Sequence, residues 1–361
     1  MGYVNLDVSA TRRFCEDIFK KRGFSEQESV DFVDVLLTAD LYGIESHGVQ
    51  RLIRYHLAIE EGNLVYGVKP EIIFKTPISA VIDAPKSIGQ VMGKMGMNMA
   101  IDMAREHGAG MVCVKNSNHF GIAGYYAAMA AAADMVGICM TSTEAIGIPT
   151  HGKKAMLGTN PIAVSMPAEP VNFWYDVATT IITRGKLEVY RKKELPVPKG
   201  WVADENGKDC DDADRVIRNI IAKAGGGIFP LGGGQEDSGS HKGYGLGIIV
   251  EMFTSIFAGG TTSPHVKHSG NADTSFTLWA IDYGIFGNKK EIKDRMSAFL
   301  QELRESPKAD GHDRIYIHGE KEAESAAEKM KNGIPVNEKT LKEMKEIGGQ
   351  FGVRFEEYFS L

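Results

Sequence analysis

"AGMVCVKNSNHFGIAGYYAAMAAAADMVGICMTST", residues 109–143, decides the fold class. It opens on "AGMVCVKN" and closes on "MVGICMTST", two short apolar runs rich in strand formers. Between them "YYAAMAAAADM" is a small-residue stretch that predicts a helix packed closely on its neighbours. Strand, helix and strand in so short a span point to an α/β core. The polar "NSNH" falls where the first strand gives way to the helix, the place where α/β folds bind ligands.

The same alternation extends on both sides. "VMGKMGMNMAIDMAREHG" predicts a helix whose methionines 92, 95, 99 and 103 form a core-facing stripe. "IAVSMP", "VNFWYDVATT" and "TSFTLWAIDY" predict further strands, and "YGLGIIVEMFTSIFAGG" predicts a mostly apolar helix ended by glycines. The first sixty residues read as helices. Ser25 and Glu28 are spaced as a capping box ahead of Val33, Leu36, Leu37 and Leu41. In the next helix Leu52, Tyr55, His56 and Ile59 share a face, with Gly62 as its C-terminal stop. Residues 183–243 are rich in turns and predict mobile loops, and the Lys- and Glu-rich last seventy read as surface helices.

Bulk composition narrows the function classes. A chain of 361 residues with net charge −6 buries a large core and lacks the basic balance of a nucleic-acid or anionic-membrane binder. The densest basic run, "YRKKELPVPK" at 190–199, is broken by prolines and reads as a solvated loop. No stretch reaches the roughly 20 apolar residues of a membrane-spanning helix, and the N-terminal "MGYVNLDVSATRRFCEDIFKKRGF" holds no signal-peptide core. Cys15, Cys113, Cys139 and Cys210 form no CxxC pair, so reduced thiols and a cytoplasmic protein are expected.

The common catalytic fingerprints are missing. There is no GxGxxG between strand and helix, no GxxxxGK[ST], no HExxH and no GxSxG. The nearest thing to a metal pair is "HVKH", His265 and His268, in a loop without an obvious third ligand. Four polar, glycine-containing stretches remain: "SHGVQR", "NSNHFGIAGYY", "LGTNPIAVSMP" and "SHKGYGLG". In the first, His47 and Arg51 are spaced for one face of a helix, a pairing suited to anion binding with proton transfer. In the last, Lys242 stands at a glycine-rich helix start, whose N–H groups and dipole favour an anion.

Together with "ADLYGIESHGVQRL", "DVATT", "GWVADENG" and "RIYIHGE", these stretches resemble the non-Rossmann malate/L-lactate dehydrogenase family, in that family's order over most of the chain. The family also includes ureidoglycolate and sulfolactate dehydrogenases, 2,3-diketogulonate reductase and a cyclic imino-acid reductase. The resemblance implies an α/β fold with a mixed, largely antiparallel sheet flanked by helices. It also implies a homodimer whose active site lies near the subunit interface, and it accounts for the missing GxGxxG. Residues 1–75 with 290–361 would form a mainly helical substrate and dimerisation domain, and 76–289 the NAD(P)-binding domain.

By the same resemblance His47 is the proton donor, Arg51 holds the substrate carboxylate, and His119 is a second candidate acid/base. Thr159 and Asn160 would sit at substrate or nicotinamide. Ser142, Asp176, Val177, Ala178, Thr179, Thr180, His241, Lys242, His318, Gly319 and Glu320 fall on cofactor positions for NAD or NADP, with NAD ahead. The last turn reads His-Gly-Glu where relatives commonly have Pro-Gly-Glu. Asp176 is the expected carboxylate that offsets the pull of Arg51 on the His47 pKa. The implied reaction interconverts a small 2-hydroxy acid and its 2-oxo acid, malate and oxaloacetate first. Lactate, sulfolactate, ureidoglycolate, a sugar acid or a cyclic imino acid are the alternatives within the family. A second carboxylate, as in malate, needs another cation, for which Lys115 and Arg184 are open candidates. A metal-dependent hydrolase using His265 and His268, or a non-catalytic homologue, are the readings from other classes.

Overall fold

The computed structural model describes residues 2–266 and 273–360. Strand β1 (Tyr3–Leu6) leads into helices α1 (Val8–Arg22), α2 (Glu26–Leu41) and α3 (Leu52–Glu60). Local chemistry sets their ends. Asp7 accepts the Ala10 N–H at 2.7 Å to start α1, and Gly23 stops it in the left-handed conformation. The Ser25–Glu28 capping box starts α2 as its spacing predicts.

The central region alternates as expected: β2 (Glu71–Lys75), β3 (Ser79–Asp83), α4 (Gly89–His107), β4 (Ala109–Ser117), α5 (Ala123–Ala132) and β5 (Val136–Thr141). Then come β6 (Ile162–Met166), β7 (Phe173–Val177), α6 (Arg184–Lys192), β8 (Val202–Ala203), α7 (Ala213–Ala222) and β9 (Gly227–Ile228). Helix α8 (Ser240–Glu251) continues into a π-helical turn at Met252–Ile256. The chain ends through β10 (Thr274–Ile281), α9 (Lys289–Glu305), α10 (Glu320–Asn332), β11 (Ile334–Asn337) and α11 (Glu338–Gln350).

Seven strands form the main sheet in the order β2-β3-β4-β10-β5-β6-β7. Only β3 and β4 pair parallel among the described strands, joined by the α4 crossover. The sheet is therefore mixed and largely antiparallel, with β10, far along the chain, inserted between β4 and β5. Alternation along β10 separates the two faces. Phe276, Leu278 and Ala280 enter the core beneath α4 and α5, whereas Trp279 meets Phe253 of the π-helical turn on the other side. The close packing expected of the alanine-rich α5 is visible at Gly137, where a Cβ would lie 2.1 Å from the Ala127 carbonyl oxygen. In α4, Met92 and Met103 are buried and Met95 and Met99 lie at the edge of the same core.

Two expectations need correcting. The first sixty residues are not all helical, because β1 pairs antiparallel with β11 and ties the two ends of the chain together. Four-residue strands carry too little periodicity to be seen in a sequence. The stretch 183–243 is not a run of loops either. Leu187, Val202, Val216, Ile217 and Ile228 build a core of their own under α6 and α7. A separate core unites α1, α2 and α3 with β11, α11 and the chain end, from Phe14 to Phe355. Leu300 of α9 packs instead with Ala168 and Ile317.

Candidate active site

Residues 45–51 do not form the single helix that the His47–Arg51 spacing predicts. Two 3-10 turns, Glu45–His47 and Val49–Arg51, are separated by Gly48, whose backbone is extended (φ −87°, ψ −151°). The cause is Asp40 of α2. Its carboxylate accepts the Val49 N–H at 2.8 Å, and a Cβ at Gly48 would lie 1.8 Å from its Oδ1. The backbone therefore breaks around a buried acid, and Arg51 folds back to donate its Nε–H to the Ser46 carbonyl.

The turn still delivers both side chains to one place. Ser46, His47, Arg51, Arg54, His119, Thr159 and Arg184 line a cleft of about 610 Å³. Along α3 the lining residues 53, 54, 57, 58 and 61 recur at helical spacing, so one helix face forms a wall. His119 arrives from the turn between β4 and α5, and its ring stacks on that of His47 with centroids 5.4 Å apart and planes 23° from parallel.

The two imidazoles are held differently. His119 Nδ1 lies 2.7 Å from the Tyr55 hydroxyl and accepts the Gly121 N–H at 3.3 Å. A backbone N–H can only donate, so the proton of the neutral ring is on Nε2. His47 Nδ1 lies 2.9 Å from Ser46 Oγ, a hydroxyl that can donate or accept and so suits either protonation state. Burial, then the charges of Arg51 and Arg54, push the His47 pKa down to about 3. Burial, with Arg54 next, also holds His119 well below its ordinary value. Both rings are neutral at pH 7 while guanidinium groups surround them.

Thr159 joins this cleft, but Asn160 lies behind it. Its side chain is fully buried and donates to the Gly247 carbonyl at 3.1 Å and to Glu251 at 2.9 Å. Asp176 does not pair with His47. Its carboxylate accepts the Gly124 N–H at 2.7 Å at the start of α5, and burial raises its pKa to about 7. The pull of Arg51 on His47 is thus not offset by Asp176, which the fold commits to a helix terminus. Ser142 is fully buried and donates to the Ser275 carbonyl at 3.1 Å.

The remaining segments fall into two groups. Thr179 donates its backbone N–H to the Thr159 carbonyl at 2.8 Å, and the Leu231 N–H reaches back to the Thr179 carbonyl at 2.9 Å. Gly243 lies so near Leu231 that a Cβ would sit 2.4 Å from its backbone, which brings the first turn of α8 alongside. His241 and Lys242 are exposed on that turn. Val177 and Ala178 are half-buried, and the Thr180 hydroxyl donates to the Ile182 carbonyl at 2.7 Å. The second group lies at β7. The Trp174 N–H donates to the His318 carbonyl at 3.1 Å, and the exposed His318 ring rests against Phe173 and Tyr175. Gly319 is left-handed (φ +103°), and Glu320 is buried between Arg304 and Arg314.

Arg184 lines the cleft, whereas Lys115 is paired with Asp83 at 3.8 Å. Sequence reasoning missed Arg54, although it follows Arg51 by three residues. It also placed Tyr55 on an apolar face without a polar role. His265 is exposed in a 3-10 turn, and His268 lies outside the described residues. No group of three or more potential metal ligands occurs among the described residues.

The profile of the malate/L-lactate dehydrogenase family matches residues 6–345. The malate dehydrogenase of Pyrococcus abyssi is 40% identical over 98% of this chain and 96% of its own. The L-sulfolactate dehydrogenase of Methanocaldococcus jannaschii is 36% identical over 95% and 96%. The crystal structure of malate dehydrogenase from Entamoeba histolytica superposes with a TM-score of 0.93 at 34% identity, covering 97% of this chain and 99% of that one.

Proposed function

The chain belongs to the malate/L-lactate dehydrogenase family and is an oxidoreductase acting on a hydroxyl group; from that premise we propose that its cleft interconverts malate and oxaloacetate with NAD, or NADP, as cofactor. The observation that carries this reading is the convergence of His47, His119 and Arg51 in one cleft. Arg51 grips the carboxylate next to the reacting carbon in a planar, two-point contact and fixes which face of the carbonyl is presented. His47 gives the carbonyl oxygen its proton in reduction and takes it back in oxidation, with Ser46 Oγ satisfying Nδ1 in both states. His119 presents its Nε2–H as a fixed donor, because the Gly121 N–H opposes protonation at Nδ1.

The nicotinamide, when bound, supplies the hydride donor or acceptor. The residues present fit such a cofactor. The first turn of α8 presents the positive end of its helix behind the left-handed Gly239, with the His241 and Lys242 side chains exposed beside it and Thr159, Thr179 and Thr180 adjoining. Lys242 and this turn would hold the phosphates. Ser142, Asp176, Val177 and Ala178, with the His318–Gly319–Glu320 turn, would shape the strand ends around the dinucleotide.

The reading extends to assembly and place. Residues 1–75 with 290–361 serve substrate binding and dimerisation, and 76–289 the cofactor. The homodimer would also cover the apolar face that α8 and its continuation expose within 76–289, where Ile248, Ile256 and Phe257 are 46%, 60% and 56% accessible. Cytoplasmic residence agrees with four free cysteines, and no described helix is long and apolar enough to cross a membrane.

The test is a spectrophotometric assay with NADH or NADPH against oxaloacetate, pyruvate and glyoxylate, wild type beside His47→Ala. Oxaloacetate turnover that falls about 100-fold or more in the variant is the expected result. Turnover that survives the substitution would move proton transfer to another group, and no turnover with any oxo acid would refute the substrate class.

A further inference from the structure

The cleft carries more positive charge than one carboxylate can use. Arg51, Arg54 and Arg184 all line it, beside two neutral imidazoles. Two of the three guanidinium groups have protein partners: Arg51 donates to the Ser46 carbonyl, and Arg184 pairs with Glu188 at 3.1 Å. Arg54 makes no hydrogen bond or ion pair with any described residue. It is partly buried, and burial together with the like charges of Arg51 and Arg184 works against its protonated state. Tyr55, next after burial, and Glu144, the weakest of these influences and also in the cleft lining, pull the other way.

An arrangement of this kind is costly in the ligand-free protein and becomes favourable when an anion of more than one charge enters. Arg54 follows Arg51 by three residues and both side chains line the same cleft, so one small anion can face both.

We propose that Arg54 determines specificity: it holds a second anionic group, carboxylate or sulfonate, at the end of the substrate remote from Arg51, and so selects dianionic 2-oxo acids over monoanionic ones. This rests on the reading of the cleft as a 2-hydroxy acid site. Arg51 fixes the reacting end and is needed by every substrate. Arg54 is needed only by those with a second charge, and a monoanion leaves it unpaired and pays the penalty in affinity.

The experiment compares kcat/KM for oxaloacetate, sulfopyruvate and pyruvate in wild type, Arg54→Met and Arg54→Lys. The wild type should prefer a dianion over pyruvate by about 100-fold or more, and its own ratio tells carboxylate from sulfonate. In Arg54→Met the dianion values should fall by about 100-fold more than the pyruvate value, and the pyruvate turnover that remains reports intact folding. Arg54→Lys should recover part of the preference, since it keeps the charge and loses the planar fork. Equal losses on all three oxo acids, or a change confined to the KM for cofactor, would overturn the proposal and assign Arg54 to general electrostatics or to the cofactor phosphates. A wild-type preference for pyruvate would overturn it while leaving the 2-hydroxy acid reading intact. If no oxo acid is turned over, that wider reading fails, and thermal-shift titration with malonate against acetate decides this one. Malonate stabilisation lost in Arg54→Met sustains it, and equal responses in both proteins overturn it.

Discussion

His47 meets its task in an unusual electrostatic setting. Its pKa lies near 3 because it is buried and two guanidinium groups face it, so it is neutral until something compensates those charges. On the proposed reading an entering dicarboxylate supplies that compensation. It offsets Arg51 and Arg54, and the folded pKa climbs back toward its ordinary 6.5. Binding then takes up a proton most strongly below that value, and anion affinity falls as pH rises. Calorimetric titration with malonate at pH 6, in buffers of different ionisation enthalpy, should show uptake of up to one proton, removed in His47→Asn. Binding without uptake would contradict this coupling. At the same scale, legibility in the sequence was uneven. His47, Arg51, His119 and Thr159 are polar residues in stretches that packing does not require, and all four reach the cleft. The Asp176–His47 pairing failed because a sequence does not reveal which carboxylate a distant helix terminus will claim. Arg54 became visible only once the face of α3 was known.

Between elements, the His47 turn depends on its support from α2. Asp40 is buried and accepts the Val49 N–H, while Lys329 of α10 donates to the Asp40 carbonyl at 2.7 Å. Gly48 is pressed against this carboxylate, and its φ of −87° shows that crowding, not a left-handed backbone, excludes a side chain. Gly48→Ala must therefore displace either the turn or α2. We expect a stability loss of about 1–3 kcal/mol and a fall in kcat/KM of about 100-fold, because a shift near 1 Å spoils the alignment. Thermal unfolding and steady-state kinetics on the same preparation would check it, and near-wild-type activity would contradict the bracing role. The longer elements here were readable from periodicity, as α2, α3, α4 and β4 show. The break at Gly48 was not, since His47 and Arg51 fit helical spacing equally well and the deciding group, Asp40, lies on another element.

Across the whole molecule, the alternation around residues 109–143 gave the α/β class, and the family resemblance supplied the mixed sheet. Periodicity alone could not have placed β10 between β4 and β5, because strand order depends on long-range pairing. The β1–β11 pair and the small core of 183–228 stayed hidden for a related reason: short strands become stable only through partners elsewhere in the chain. What the assembled fold achieves is to bring the His47 turn, one face of α3, strand-end loops and the start of α6 around a single cleft. The central claim is that this cleft passes a hydride between a nicotinamide and C2 of a 2-oxo acid while His47 moves the proton. The most direct test is to reduce oxaloacetate with NADH or NADPH carrying deuterium at nicotinamide C4, and to examine the malate by proton NMR. The account predicts deuterium at C2, with the rate of its appearance falling about 100-fold in His47→Ala. Malate formed without deuterium from either face of the labelled cofactor would contradict direct hydride transfer.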